Sequence, residues 1–217
     1  MPDNKRSKKP KIKTPLSQRI LGDIYRELKK TKSSSLSGFH TFPKTVKFET
    51  QEVKERIILL LRRHLITNLP WILVSIFLFL IPALIKQMGA LDILPPGFQF
   101  MTLIIWYLFV SAFVIEKSLS WYFNVYIITD ERVVDVDFYS LIYKRISDAK
   151  IDRIEDVTYS QGGFIQSLFN YGLVNIQTAG EEAEFEFEAV PKPAQVAKVI
   201  NQLILQEEQE KIEGRVS

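Results

Sequence analysis

The chain is 217 residues long, 47% apolar and free of cysteine, with 28 Lys and Arg against 25 Asp and Glu. These values exclude a collagen-like repeat, a disulfide-stapled secreted module and a wholly disordered chain. The formal charge of +3 and the near-zero mean hydropathy hide an uneven distribution. Residues 1–65 hold 17 Lys and Arg against 6 Asp and Glu, residues 66–115 one of each, and residues 116–217 10 against 18.

Residues 1–50 read as a basic, partly disordered arm. Residues 1–13 are Lys-rich with two prolines and lack the apolar content of a packed segment. Thr14-Pro15 then suits an N-cap and first helical turn. Leu16, Ile20, Ile24 and Leu28 follow at i+4 spacing, which predicts a short amphipathic helix, and 32–38 (KSSSLSG) reads as a flexible linker. Two readings of this arm stand side by side. One is attachment to anionic lipid; the other is an ordinary cytoplasmic flank carrying a solvated helix. The first thirty residues lack the apolar core of a cleavable signal peptide.

Residues 51–65 read as an interfacial amphipathic stretch, with Val53, Ile57, Leu60 and Leu61 turned to a membrane surface. Arg62, Arg63 and His64 close it at the expected headgroup level. A lone histidine there is more often a hydrogen-bonding anchor than a ligand or a base.

Residues 66–122 predict a two-helix transmembrane hairpin. Twenty consecutive residues, 66–85, carry no charge, and a helix of that length spans roughly 30 Å, the thickness of a bilayer's hydrocarbon core. A second helix is expected over 98–119, its start delayed by Pro95-Pro96-Gly97. A buried pair of soluble core helices is the competing reading, but residues 72–81 contain Ser75 as their sole polar break. Lys47, Lys54, Arg56, Arg62 and Arg63 precede the first span, and Lys117 and Arg132 follow the second. The loop has Lys86 alone. Both termini are therefore expected in the cytoplasm. Trp121 and Tyr122 suit a membrane exit, whereas Trp106 and Tyr107, near mid-span, suit packing between the helices.

Residues 123–206 switch to alternation, the signature of strands. Strands are expected over 125–129, from 132, near 141–145, over 150–159, 171–178 and 184–190, with a short apolar turn over 164–169. In the last strand Phe185, Phe187 and Ala189 alternate with Glu184, Glu186 and Glu188. Pro193 opens a helix whose Val196, Val199, Ile200, Leu203 and Ile204 form one apolar stripe. The charged tail, 207–217, is expected to fray. The predicted class is α+β: the hairpin, then six or seven antiparallel strands capped by a C-terminal helix. A pleckstrin-homology-like (PH-like) barrel has this outline, and the strand pattern leaves other small barrels and sandwiches open.

The order of RRHLI, YIITDERVV, the strand at 151–157, YGLVNIQTAG and VPKPAQVAKVI resembles the bacterial PH-like membrane proteins of the YdbS-like type, over roughly 52–205. That resemblance implies the fold and a bacterial inner-membrane location. It implies no enzyme activity.

No nucleophile motif, phosphate-binding glycine loop or Cys/His metal spacing occurs in the sequence. No catalytic, cofactor or metal residues are therefore assigned. Gly162-Gly163 and Gly172 suit turn and bulge positions. Asp135/Asp137 and Glu184/Glu186/Glu188 fall on faces that alternation gives to solvent. Residues 121–206 hold 7 Lys and Arg against 13 Asp and Glu, which disfavours phosphoinositide and nucleic-acid binding. The candidate headgroup contacts are Arg62, Arg63, His64, Lys144, Arg145, Lys150 and Arg153. The leading reading is a non-enzymatic membrane protein displaying a cytoplasmic PH-like interaction or assembly module. Its partner is an unidentified protein or a second copy, whose basic arm could meet the acidic segment. Lipid sensing through the arm and the 144–153 hairpin is the alternative, and a membrane enzyme is a distant third.

Overall fold

Strands from both sides of the apolar hairpin share one sheet. The computed structural model describes residues 16–30, 38–43, 55–138, 144–180 and 184–214. In order they form α1 (Leu16–Lys30), β1 (Phe39–Thr41), β2 (Ile57–Arg62), α2 (Leu69–Gln87), α3 (Pro96–Phe123), β3 (Val125–Thr129), β4 (Arg132–Phe138), β5 (Lys144–Lys150), β6 (Ile154–Ser160), α4 (Gly163–Phe169), β7 (Tyr171–Thr178), β8 (Glu184–Pro191) and α5 (Pro193–Ile212). One antiparallel sheet has the order β1-β2-β3-β4-β5 and a second the order β6-β7-β8.

The 51–65 stretch thus differs from expectation in its described part. Ile57–Arg62 is an interior strand paired with β1 and β3, not an amphipathic stretch lying along a membrane surface. Strands covered on both faces read as continuous apolar runs, and IILLLR is one. A register shift between Ile57 and Leu59 breaks its alternation. Ile58, Leu59 and Leu61 enter the main core, and Ile57 joins Ile127 and Val134 in a small second cluster.

The expected closed barrel is corrected to two separate sheets. A 3-10 turn at Ile151–Arg153 interrupts what reads as one strand over 150–159, so that β5 and β6 fall in different sheets. No glycine or proline marks this turn, which is why alternation runs through it unnoticed. The strand expected near 141–145 is described only from Lys144, where β5 begins; 141–143 lie outside the described residues.

The apolar face of α1 is packed inside the fold and is not left to solvent. Its Ile24 and Leu28 are fully buried in one cluster with Val196, Val199, Ile200 and Leu203 of α5. Glu27 pairs with Lys198 at 2.6 Å, and Tyr25 stacks on Phe42. The amphipathic stripe of α1 is real, but its apolar partner is α5. The remaining arm readings, at 1–15 and 31–37, fall outside the described residues. α5 carries its apolar stripe as expected and continues to Ile212, past the point where fraying was expected.

α2, preceded by a 3-10 turn at Leu65–Asn68, and α3 are long and apolar enough to cross a membrane, and their apolar windows are only 17% and 6% buried. They pack on each other through Trp106 and Tyr107, as their mid-span position suggests. Trp106 Nε1 donates to the Leu78 carbonyl at 2.9 Å, and Tyr107 meets the ring of Phe79. In α2, Ser75 Oγ donates to the Trp71 carbonyl, and Trp71 Nε1 donates to Asn68 Oδ1.

Candidate functional site

The root of the hairpin is where the sheet and the apolar helices meet. β2 leads into α2 and α3 leads into β3, and Arg62 is opposite Val125 in the ladder. The two helices therefore leave from neighbouring positions of adjacent strands.

Arg62, Arg63 and His64 occupy this root, each with partners inside the chain. The Arg62 guanidinium lies 4.2 Å from the centre of the Tyr122 ring, a cation–π contact. Its backbone N–H donates to the Gly38 carbonyl at 2.7 Å. Gly38 has φ +66, and a Cβ there would approach the Arg62 carbonyl oxygen to 2.8 Å, so glycine is required by both angle and space. Arg63 pairs with Glu188 at 2.9 Å and reaches the Tyr126 hydroxyl at 3.5 Å. Burial pulls the Arg63 pKa down, but Tyr126, Glu188 and Asp137 outweigh it and raise the net value. The Arg63 carbonyl accepts from Trp121 Nε1 at 2.9 Å, tying the end of α3 to the end of β2.

His64 Nδ1 accepts the Ile66 N–H at 3.2 Å, and the ring stacks on Tyr171 with centroids 5.0 Å apart. An accepting Nδ1 is unprotonated, so the imidazole is neutral. Burial lowers its pKa in agreement. The His64 N–H donates to the Ala189 carbonyl at 2.8 Å. Ala189 departs from the expected alternation: it takes a left-handed conformation at φ 50, which aims that carbonyl away from the β7 ladder.

The four cations of 144–153 do not form one cluster. Lys144 and Lys150 stand at opposite ends of β5, about 20 Å apart at strand rise. Arg145 lines a cleft of about 400 Å³ with Arg63, Asp135, Asp137, Glu184, Glu186 and Glu188. Lys150 and Arg153 line a different cavity of about 350 Å³, beside Asp148 and Phe185. Sequence alternation assigns the carboxylates of the cleft to strand faces correctly, but gives no sign that faces from two sheets converge. Among the described residues, no group of three His, Asp or Glu side chains is arranged to hold a metal ion.

Glu55 and Arg132 form a second tie across the hairpin. Arg132 Nε and Nη2 reach the two oxygens of Glu55 at 3.0 Å each, and Nη1 reaches Asp148 at 3.1 Å. Thr129 Oγ1 adds a bond to Glu55 at 2.8 Å. The Arg132 side chain is 14% exposed and that of Glu55 0%. Sequence reading gave neither residue a partner, since nothing local relates them.

A two-helix apolar hairpin set into an antiparallel sheet, followed by a second sheet and a C-terminal helix, defines the class. The chain belongs to the bacterial PH domain family, which matches residues 65–204 and so includes the hairpin. Among solved structures it is similar to a DUF1696 family protein with a pleckstrin-homology domain from Shewanella loihica PV-4. The identity is 13%, the match covers 37% of this chain and 70% of that one, and the TM-score is 0.30. No curated protein matches the chain.

Proposed function

We infer that this chain is an integral protein of the bacterial inner membrane, without catalytic activity, whose hairpin displays the PH-like domain to the cytoplasm as an interaction or assembly module. The observation that carries the reading is the exposure of α2 and α3. Both helices are apolar, and the folded chain leaves most of their surface uncovered. Such a surface needs a hydrocarbon solvent. The cations Arg62, Arg63 and Lys117 lie on the domain side of the hairpin and Lys86 lies in its loop, which favours a cytoplasmic domain. The acidic cleft favours a basic protein segment as partner. A second copy is the first candidate, through residues 1–13 with their five lysines and one arginine.

Because the chain has no cysteine, single cysteines report topology cleanly. Cysteine at Gly89 should react with an impermeant maleimide from outside intact cells, and cysteine at Glu155 only after lysis. Release of the protein by alkaline carbonate, or reaction at both positions alike, would sink the membrane reading. For the partner, the native mass in detergent at low salt should fall when residues 1–13 are removed. Removing 1–50 would also delete α1 and β1 from the core. An unchanged mass would exclude self-association through the arm, and in-cell crosslinking of the full-length protein would then seek another partner.

A further inference from the structure

We propose that α4 is an interfacial anchor that seats the PH-like domain on the lipid surface beside the hairpin root; this rests on the membrane reading above. α4 has no buried residue. Phe164 is 79% and Leu168 62% exposed, with Ile165 and Phe169 also exposed. These four stand at i, i+1, i+4 and i+5, on one side of a helix. Apolar side chains at that density are uncommon on a surface left in water.

The helix is closed at both ends rather than frayed. Gln166 Oε1 accepts the Gly162 N–H at 2.6 Å, and Asn170, left-handed at φ 50, returns its N–H to Gln166 and Ser167. No charged residue occurs from 157 to 180, the longest uncharged run outside the hairpin. An uncharged patch whose exposed side chains at 164, 165, 168 and 169 are all apolar suits acyl chains better than a polar partner.

Position supplies the second argument. Phe169 and Tyr171 flank the ring of His64, at 6.4 and 5.0 Å between centroids. The next residue, Leu65, begins the first apolar helical segment, and Leu65 and Leu69 are themselves exposed. The apolar face of α4 is thus continuous with the first turns that enter the bilayer. A bilayer around α2 reaches α4 without a further partner.

The test uses the full-length chain in vesicles of phosphatidylethanolamine and phosphatidylglycerol. Nitroxide labels are placed singly at Phe164→Cys, Leu168→Cys, Ile76→Cys in α2 and Glu155→Cys on exposed β6. Collision with oxygen, relative to a water-soluble nickel complex, reads depth. The expected ratio at 164 and 168 is several-fold above that at 155, with 76 higher still. Water-like ratios at 164 and 168 with an apolar ratio at 76 overturn the anchor and leave the hairpin standing. A water-like ratio at 76 overturns both. Low collision with both probes at 164 and 168 marks a protein cover, a second copy included, and overturns the lipid assignment.

Discussion

The indole of Trp106 donates to the carbonyl of Leu78, four residues before Pro82. Proline has no N–H, so in a helix it leaves the carbonyl at i−4 without its amide. Trp106 of the neighbouring helix supplies the missing donor. The pairing explains how Pro82 is accommodated inside α2 and locks the register of the two helices.

Trp106→Phe should therefore weaken the pairing of α2 and α3 by roughly 1 kcal/mol, the scale of one net hydrogen bond. In the Pro82→Ala background, where the amide returns, the same change should cost little beyond the smaller ring. A double-mutant cycle by unfolding in mixed micelles measures the coupling, and simple additivity would refute this account.

Glu55 and Arg132 clamp the segment before the hairpin to the sheet after it. Glu55→Gln should cost about 3 kcal/mol, because it leaves a largely buried guanidinium short of charge. The Glu55→Leu/Arg132→Met pair should recover much of that loss, since neither partner is then stranded. Thermal unfolding in detergent ranks the three variants.

The chain has two histidines, and both have pKa values below their ordinary 6.5. Burial is the cause for His64, and burial plus the nearby Arg62 charge for His40. The unfolded chain then binds more protons on acidification. The stability contributed by the neutral rings is present above 6.5 and lost as the pH falls through and below it. His64→Asn keeps an acceptor for the Ile66 N–H and should flatten part of this acid limb. Unfolding midpoints between about pH 5 and 8 test this, and histidine NMR titrations above 6.5 would contradict it.

A Cβ on Gly172 would collide with the Ser160 carbonyl oxygen and lie 3.2 Å from Pro193 Cγ. Gly172→Ala should cost about 2–3 kcal/mol, because the backbone of β6 must move. Gly163→Ala meets open space and has only its φ of +85 against it, so about 1 kcal/mol is expected. Comparing the two by denaturation separates crowding from backbone strain. The sequence reading anticipated a bulge at Gly172, and a register shift lies there, but close approach is what demands the glycine.

Elements whose two faces differ were legible in the sequence. β8 shows its buried Phe185 and Phe187 between exposed glutamates, and α5 buries the expected stripe. β2 escaped because a strand covered on both faces has no alternation to display. The stripe of α1 was visible, but its partner lies at the other end of the chain. At the root, proximity to the span was enough to single out Arg62, Arg63 and His64. Their contacts with Tyr122, Glu188 and Tyr171 depend on pairings between strands, which local spacing does not encode.

Placing the hairpin between two adjacent strands also sets an order of events during biogenesis. β2 leaves the ribosome before α2 and α3, and its ladder partner β3 only after them. Until then Ile57–Arg62 is an apolar segment without its neighbour, liable to premature pairing or capture by a chaperone. The five-stranded sheet is therefore completed only after both helices have been synthesised, and a chain stalled between α3 and β3 should show its misfolding first at β2.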